Sequence, residues 1–301
     1  MSRRFAPIPL PLALALLLAG PASGQELLRW KFTEGDSHRF ELSQEQVISA
    51  TVAEQDVSTS TQQSIAMTWD VLSVEEDGSA RLSQTIDRVK VLQKTPFVEI
   101  SYDSAAEAGE EAPSGPSAML KQVVDALIGF RVVLVMTPRG EVRDVELPEE
   151  TLERLRSAGP AAAALQNLST PEGIDRMISQ ATLVLPERPV EAGASWSRTA
   201  ELPTPQGELT LTSTFSYEGL QDNLATIGLT LTVDAIRPNA DAPFRLEVGD
   251  QAGSGSYSFD PALGVLRSSR VSQSLTFLIT VMDQQYSSEA ESTTTLTLID
   301  P

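Results

Sequence analysis

The 301-residue chain contains no cysteine, one histidine, four lysines (Lys31, Lys90, Lys94 and Lys121) and only 5% aromatic residues. Without thiols it can form no disulfide, no Cys-based zinc site, no iron–sulfur cluster and no Cys nucleophile. A Ser-His-acid triad would have to use His38, which the pattern places in a turn beside Arg39, and no Gly-x-Ser-x-Gly elbow presents a serine. None of the four lysines follows a serine at the spacing of Ser-Lys hydrolases. Basic residues are few as well: 22 Lys and Arg face 41 Asp and Glu, a formal charge of -19 that disfavours nucleic acid and anionic membrane surfaces.

What the chain does have begins with Arg3 and Arg4, an apolar run over residues 8–18, and the small residues Pro21-Ala22-Ser23-Gly24. This is the pattern of a secretory signal peptide over residues 1–24, cleaved near Gly24. Export to the periplasm or the extracellular space is therefore expected. Removing that segment takes away two arginines and no acids, so the charge deepens from -19 to -21. The apolar run is too short to span a bilayer, and no cysteine follows it to carry a lipid, so no stable membrane anchor is expected.

Residues 25–103 alternate and favour Val, Ile, Thr and Phe, which reads as an N-terminal β half. Ile65, Met67, Trp69 and Val71 share one face of such a strand, opposite Ala66, Thr68 and Asp70, and Asp77-Gly78 supplies a two-residue hairpin signal. Residues 104–116 are rich in Ala, Glu, Gly, Pro and Ser and form an acidic, flexible loop; Asp103, Glu107, Glu110 and Glu111 lack any calcium-loop signature and read as solvated charge. Residues 117–182 form a helical and hairpin insertion. Ser117 can cap a helix bearing Met119, Leu120, Val123, Val124, Leu127 and Ile128, and Gly129 can end it. A strand over 131–137 follows, then short helices opened by prolines at 148, 160 and 171, the last carrying Ile174, Met177, Ile178 and Ala181.

Residues 183–301 return to β structure. Leu209, Leu211, Phe215 and Tyr217 share a face, as do Ala225, Ile227, Leu229, Leu231 and Val233 across a tight Gln221-Asp222-Asn223 turn. Val271, Leu275, Phe277, Ile279 and Val281 lie opposite Ser272, Ser274 and Thr276. Strands this long, with one Ser/Thr-lined face, predict an α+β, mainly β fold: one large curved antiparallel sheet with a few short helices inserted mid-chain, residues 25–301 forming one unit. The two halves open alike, Gly35-Asp36-Ser37-His38 against Gly193-Ala194-Ser195-Trp196, each followed by a hairpin, which suggests two related β halves.

Residues 185–190 (Leu-Pro-Glu-Arg-Pro-Val), Gly193-Ala194-Ser195-Trp196, residues 259–264 (Phe-Asp-Pro-Ala-Leu-Gly) and the opening Leu28-Arg29-Trp30-Lys31-Phe32 with Gly35-Asp36 resemble a family of exported bacterial proteins of unknown function. The resemblance implies export, a β-rich fold and no established activity, and it brings no catalytic residues.

Gly253-Ser254-Gly255-Ser256 lacks the Lys-Ser/Thr ending of a phosphate loop and reads as a turn or bulge. No cofactor or metal motif is present. The expectation is a non-catalytic binding module that holds a hydrophobic or lipid-like ligand under the sheet, with Met119, Val123, Leu127 and Trp69 lining the pocket. An envelope protein–protein interaction module and a carboxylate-based hydrolase are the alternatives.

Overall fold

Apolar residues alternating with Ser and Thr for 15 to 20 residues at a time make strands of uncommon length. In the computed structural model, residues 25–52, 55–106, 115–157, 165, 170–204, 207–238, 245–281 and 284–299 are described. The signal-peptide segment, the centre of the acidic loop and most of the helical stretch expected after Pro160 lie outside these residues. The N-terminal half contributes β1 (Ser37–Val52), β2 (Gln55–Val74), β3 (Ala80–Lys94) and β4 (Glu99–Asp103). Between the halves come α1 (Pro116–Leu127), β5 (Arg131–Met136), β6 (Val142–Glu146), α2 (Glu149–Ser157) and α3 (Pro171–Ala181). The C-terminal half contributes β7 (Ser195–Thr204), β8 (Gly207–Gln221), β9 (Leu224–Pro238), β10 (Arg245–Asp260), β11 (Val265–Val281) and β12 (Gln284–Ile299).

All 12 strands form a single antiparallel sheet in the order β6-β5-β3-β2-β1-β12-β11-β10-β9-β8-β7, with β4 added beside β3. The halves meet where β1 pairs with β12, from Arg39 opposite Ile299 to Ala50 opposite Ser288. The strands at the two ends of this order both reach α3. Helix α3 packs on β6, while Arg198 of β7 donates hydrogen bonds to the α3 carbonyls of Ser179 and Gln180. A sheet whose opposite edges touch one helix must curl into an incomplete barrel, as accumulated strand twist favours. Among the described residues the fold is thus mainly β with three short helices, as the alternation indicates.

The core fills one end of the concave face. Leu82 of the N-terminal half and Leu134 and Met136 of β5 meet Phe215, Ile227 and Phe259 of the C-terminal half, roofed by Ala126 of α1, Leu155 of α2, and Ile174 and Ile178 of α3. Residues 26–33 run across this end as a strap. Glu26 bridges Val190, the Trp30 amide donates to Pro138, its indole N–H donates to the Leu183 carbonyl at 3.2 Å, and the Lys31 amide donates to Gly264. Trp30 packs edge-on to Phe259 with ring centroids 5.4 Å apart. Burying two such aromatics contributes several kcal/mol, about 1.5–3 for each large side chain.

Local chemistry departs from the sequence reading at four places. Helix α1 is capped by Gly115, at φ 58°, and Ser117 falls inside its first turn, because Pro116 already fixes the first helical φ. The β2–β3 turn holds three residues, Glu76-Asp77-Gly78, closed by the Glu75 amide donating to Ser79; Gly78 supplies the left-handed residue at φ 83°. His38 lies in β1 opposite Trp69, since the preceding turn closes at Thr33–Asp36. The 253–256 segment is regular strand within β10.

Candidate functional site

Past the core, the concave face continues as an open cleft of about 430 Å³. Its floor is Leu209, Leu211 and Phe215 of β8, Leu229, Leu231 and Val233 of β9, Tyr257 of β10, Val271 and Leu275 of β11, Leu296 of β12 and Leu42 of β1. The last turn of α3 overhangs it with Met177, Gln180 and Ala181, and β7 contributes Arg198 and Ala200. These residues converge because the strand register places them on one face: Phe215 opposite Leu229, Leu211 opposite Val233, Leu42 opposite Leu296. The remaining polar lining is Gln180, Ser213, Ser269, Gln273 and Thr294, and among the described residues no carboxylate takes part.

Two features of β10 give the cleft its depth. Gly253 and Gly255 share the concave face with Tyr257, so no side chain rises there. A Cβ on Gly253 would lie 2.6 Å from the Leu231 Cβ, and one on Gly255 would lie 2.7 Å from the Arg270 carbonyl. The ladder between β9 and β10 ends at Thr230 and Ser254. Beyond it, the Gln251 side chain replaces backbone pairing, accepting from the Val233 amide at 2.7 Å and donating to its carbonyl at 3.0 Å. The diverging strands thereby keep their polar groups satisfied beside an apolar floor.

One end of the cleft is aromatic. Trp196 stacks on Phe215 at 5.6 Å and 16°, Phe215 contacts Tyr257 at 6.0 Å, and the Trp196 indole donates to the Val184 carbonyl at 2.8 Å. Burial pushes the Tyr257 phenol up to about 12, with Arg198 pulling the other way. Arg198 is the single charged side chain of the lining. Burial lowers its pKa, the Tyr257 phenol acts in the opposite sense, and no described carboxylate pairs with it. It remains a cation, held against the partial negative charge of the α3 C-terminus.

Two larger and more open hollows, of about 610 and 630 Å³, flank α3 where β6 and β7 approach each other. Charged residues of both signs line them, including Arg139, Glu141 and Glu187 in one and Arg143, Asp175 and Glu201 in the other. They are surface grooves along the seam, and the smaller cleft is the apolar one. No cluster of three or more potential metal ligands occurs among the described residues.

The residues expected to line a pocket lie elsewhere. Met119 is 59% exposed on α1, Val123 and Leu127 pack against the core, and Trp69 rests on Phe40 with ring centroids 4.8 Å apart. None of the four is among the residues lining the cleft. The Trp69 indole N–H is buried and has no partner among the described residues. The glycine pair reads from the sequence as a turn or bulge, and Arg198 is not singled out there, although a signal for it exists: Trp196, Arg198 and Ala200 alternate on one face of β7, with Ser195, Ser197 and Thr199 on the other.

A model described as a family of unknown function (DUF6263) matches residues 77–247, more than half of the chain. The chain belongs to this family. The DUF6263 match runs from the β2–β3 turn to the first residues of β10, so it includes α3, Arg198 and the β8–β9 floor, while β1, β11 and β12 complete the cleft from outside it. No curated protein matches. Among solved structures, lipovitellin, studied for its lipid–protein interactions, superposes with a TM-score of 0.48 at 11% identity, over 90% of this chain. The chain spans only 26% of lipovitellin's length. An outer membrane channel from Pseudomonas putida F1 gives a TM-score of 0.22 at 7% identity, over 93% of this chain and 99% of the other. A DUF1329 family protein from Desulfovibrio piger ATCC 29098 gives 0.15 at 8%, over 84% and 83%. None of these superpositions is close enough to transfer a function. No helix among the described residues is long and apolar enough to cross a membrane.

Proposed function

We propose that this DUF6263 member is an exported, non-catalytic binding module that holds a hydrophobic ligand in the concave cleft between α3 and strands β7–β12. One observation carries the reading: a cleft of about 430 Å³, floored by apolar side chains and free of carboxylates in a chain of charge -19. Ligand pockets are typically concave, mostly apolar and a few hundred Å³ in volume, with a small number of polar groups that orient the ligand. An apolar surface of this extent left to water is unfavourable, at roughly 25 cal/mol per Å², unless something covers it. The basic start and apolar run of residues 1–24 support export. Among the described residues the cleft is lined by apolar and neutral polar side chains with one arginine, a lining suited to holding a ligand.

Native mass spectrometry of the protein purified from its own host's envelope, followed by titration with the neutral fluorophore N-phenyl-1-naphthylamine, tests the proposal. Retained apolar mass, or a saturable one-to-one rise in fluorescence, is the expected result. A protein that arrives empty and gives no saturable signal overturns it. Co-purification of a stoichiometric protein in place of a small molecule would favour an interaction module instead.

A further inference from the structure

Resting on the cleft as the ligand site, we infer that its ligand is a single-chain amphiphile with an anionic head, carboxylate or phosphate, seated on Arg198 with its tail along Leu211, Leu231 and Leu275. The observations are geometric. Among the described residues Arg198 is the only charged one lining the cleft, and it also borders both seam hollows, so its side chain stands where the apolar floor meets the gap between β6 and β7. A head placed there is reachable from outside while the tail lies on the floor.

The guanidinium has donors to spare. It presents five N–H groups, of which Nη1 donates to the Ser179 carbonyl and Nη2 to the Gln180 carbonyl. Those two bonds fix its plane without neutralising it, because a helix C-terminus supplies only about half a negative charge. Several arginines of this acidic chain take carboxylate partners, as Arg88 does with Asp103 and Arg267 with Asp260, while Arg29 spends its donors on backbone carbonyls at a more exposed position. Among the described residues Arg198 has no carboxylate partner, and its half-buried charge faces no full counter-ion there. The planar fork suits bidentate contact with a carboxylate or phosphate. The Tyr257 phenol faces the same cation, adding a hydroxyl at the aromatic end of the cleft. Among the described residues no acid lines the cleft itself, and the acids of the seam hollows are interleaved with Arg139, Arg143 and Arg176. A volume near the lower end of the usual range for ligand pockets suits one chain rather than two.

Competition against N-phenyl-1-naphthylamine on the full chain decides the matter, using palmitate, 1-palmitoyl lysophosphatidate and methyl palmitate, which share a tail and differ in the head. Both anions are expected to bind about tenfold tighter than the ester, the factor that one charge-assisted contact supplies. Arg198→Gln should erase that preference, and Arg198→Lys, which keeps the charge, should retain part of it. If palmitate alone is preferred the head is a carboxylate; if lysophosphatidate alone, a phosphate. Equal binding of the anions and the ester by the unaltered protein overturns the anionic head while leaving a hydrophobic site in place. Failure of the protein to bind the fluorophore or any of the three overturns the cleft reading itself. The comparison of heads uses the unaltered protein, so it stands even if the glutamine variant does not fold.

Discussion

Gly35 and Gly193 hold the same turn in the two halves of the sheet. Gly35 donates its amide to the Val71 carbonyl, and the Val71 amide donates back to Asp36; Gly193 donates to the Tyr217 carbonyl, and the Tyr217 amide donates back to Ala194. Both turns also close three residues wide, Asp36 onto Thr33 and Ala194 onto Glu191. Strands β1, β2 and β3 therefore correspond to β7, β8 and β9, with His38 opposite Trp69 standing where Trp196 stands opposite Phe215. The likeness read between residues 35–38 and 193–196 is a likeness of hydrogen bonding, which is the physical content of a repeat.

Equivalent turns should respond equally to the same change. Both glycines have left-handed φ, 88° and 91°, and a Cβ on either meets nothing within 4 Å. Gly35→Ala and Gly193→Ala should each cost about 1–2 kcal/mol, the strain of a left-handed non-glycine residue, with no packing penalty added. Urea unfolding followed by circular dichroism measures both; a difference of several kcal/mol between them would contradict the equivalence.

Gly140 is a different case. It has φ 88°, but a Cβ there would lie 2.3 Å from the Leu183 carbonyl and 2.7 Å from the Trp30 indole nitrogen, the two groups that hydrogen-bond each other across the strap. Gly140→Ala should cost about 3 kcal/mol or more, because strain and backbone collision add. The same substitution should change the near-ultraviolet signal of Trp30, which the variants at Gly35 and Gly193 leave alone.

Acid should loosen the fold through particular carboxylates. The Arg88 guanidinium and the Ala105 amide hold Asp103 below its ordinary value of 3.8. For Asp260, burial pushes the other way, but the Leu263 and Ala262 amides and Arg267 outweigh it and the net shift is downward. A depressed folded pKa gives stability that is fully present above the unfolded value and is lost as the pH falls through the folded one, so the loss belongs below about pH 4. Thermal melting at pH 6 and pH 3 should show a drop for the unaltered protein and a smaller drop for Asp260→Asn.

Within the cleft, Leu231→Glu places a carboxylate on the apolar floor. Affinity for N-phenyl-1-naphthylamine should fall at least about tenfold, since a buried charge must be neutralised or expelled before an apolar ligand can cover it. Secondary structure should persist, because Leu231 is only partly buried at the edge of the core. Unchanged affinity would place the ligand elsewhere.

Faces were legible in the sequence because a period of two is a direct consequence of the pleat. Ile65, Met67 and Trp69 stand opposite Leu42, Phe40 and His38, and the Leu209 and Ala225 series converge on the cleft as their alternation indicates. The pocket was not legible, for a reason of sequence distance. Its floor comes from six strands between Leu42 and Leu296, and its roof from α3, whereas the Met119-to-Ile128 face is a local pattern whose Val123 and Leu127 pack on the core while Met119 stays exposed. Register shifts between Ala66 and Met67, Val71 and Ser73, and Val248 and Gln251 also leave no composition signal. The glycines at 253 and 255 suggested a turn because glycine usually punctuates; inside β10 they make room for the neighbouring strands.

The pairing of β1 with β12 sets the order in which the molecule can be completed. Arg39 cannot meet Ile299 until the last strand has been made, so the middle of the sheet, rather than its rim, is the final piece to close. Such distant pairing is slow to form. Until it forms, β1 and β12 each present a long free edge, the arrangement that invites pairing with another chain. The charged side chains Glu41, Glu45, Glu289 and Glu291 on these strands act as guards for that interval, and loss of β12 would split the sheet at its centre into two open-edged halves.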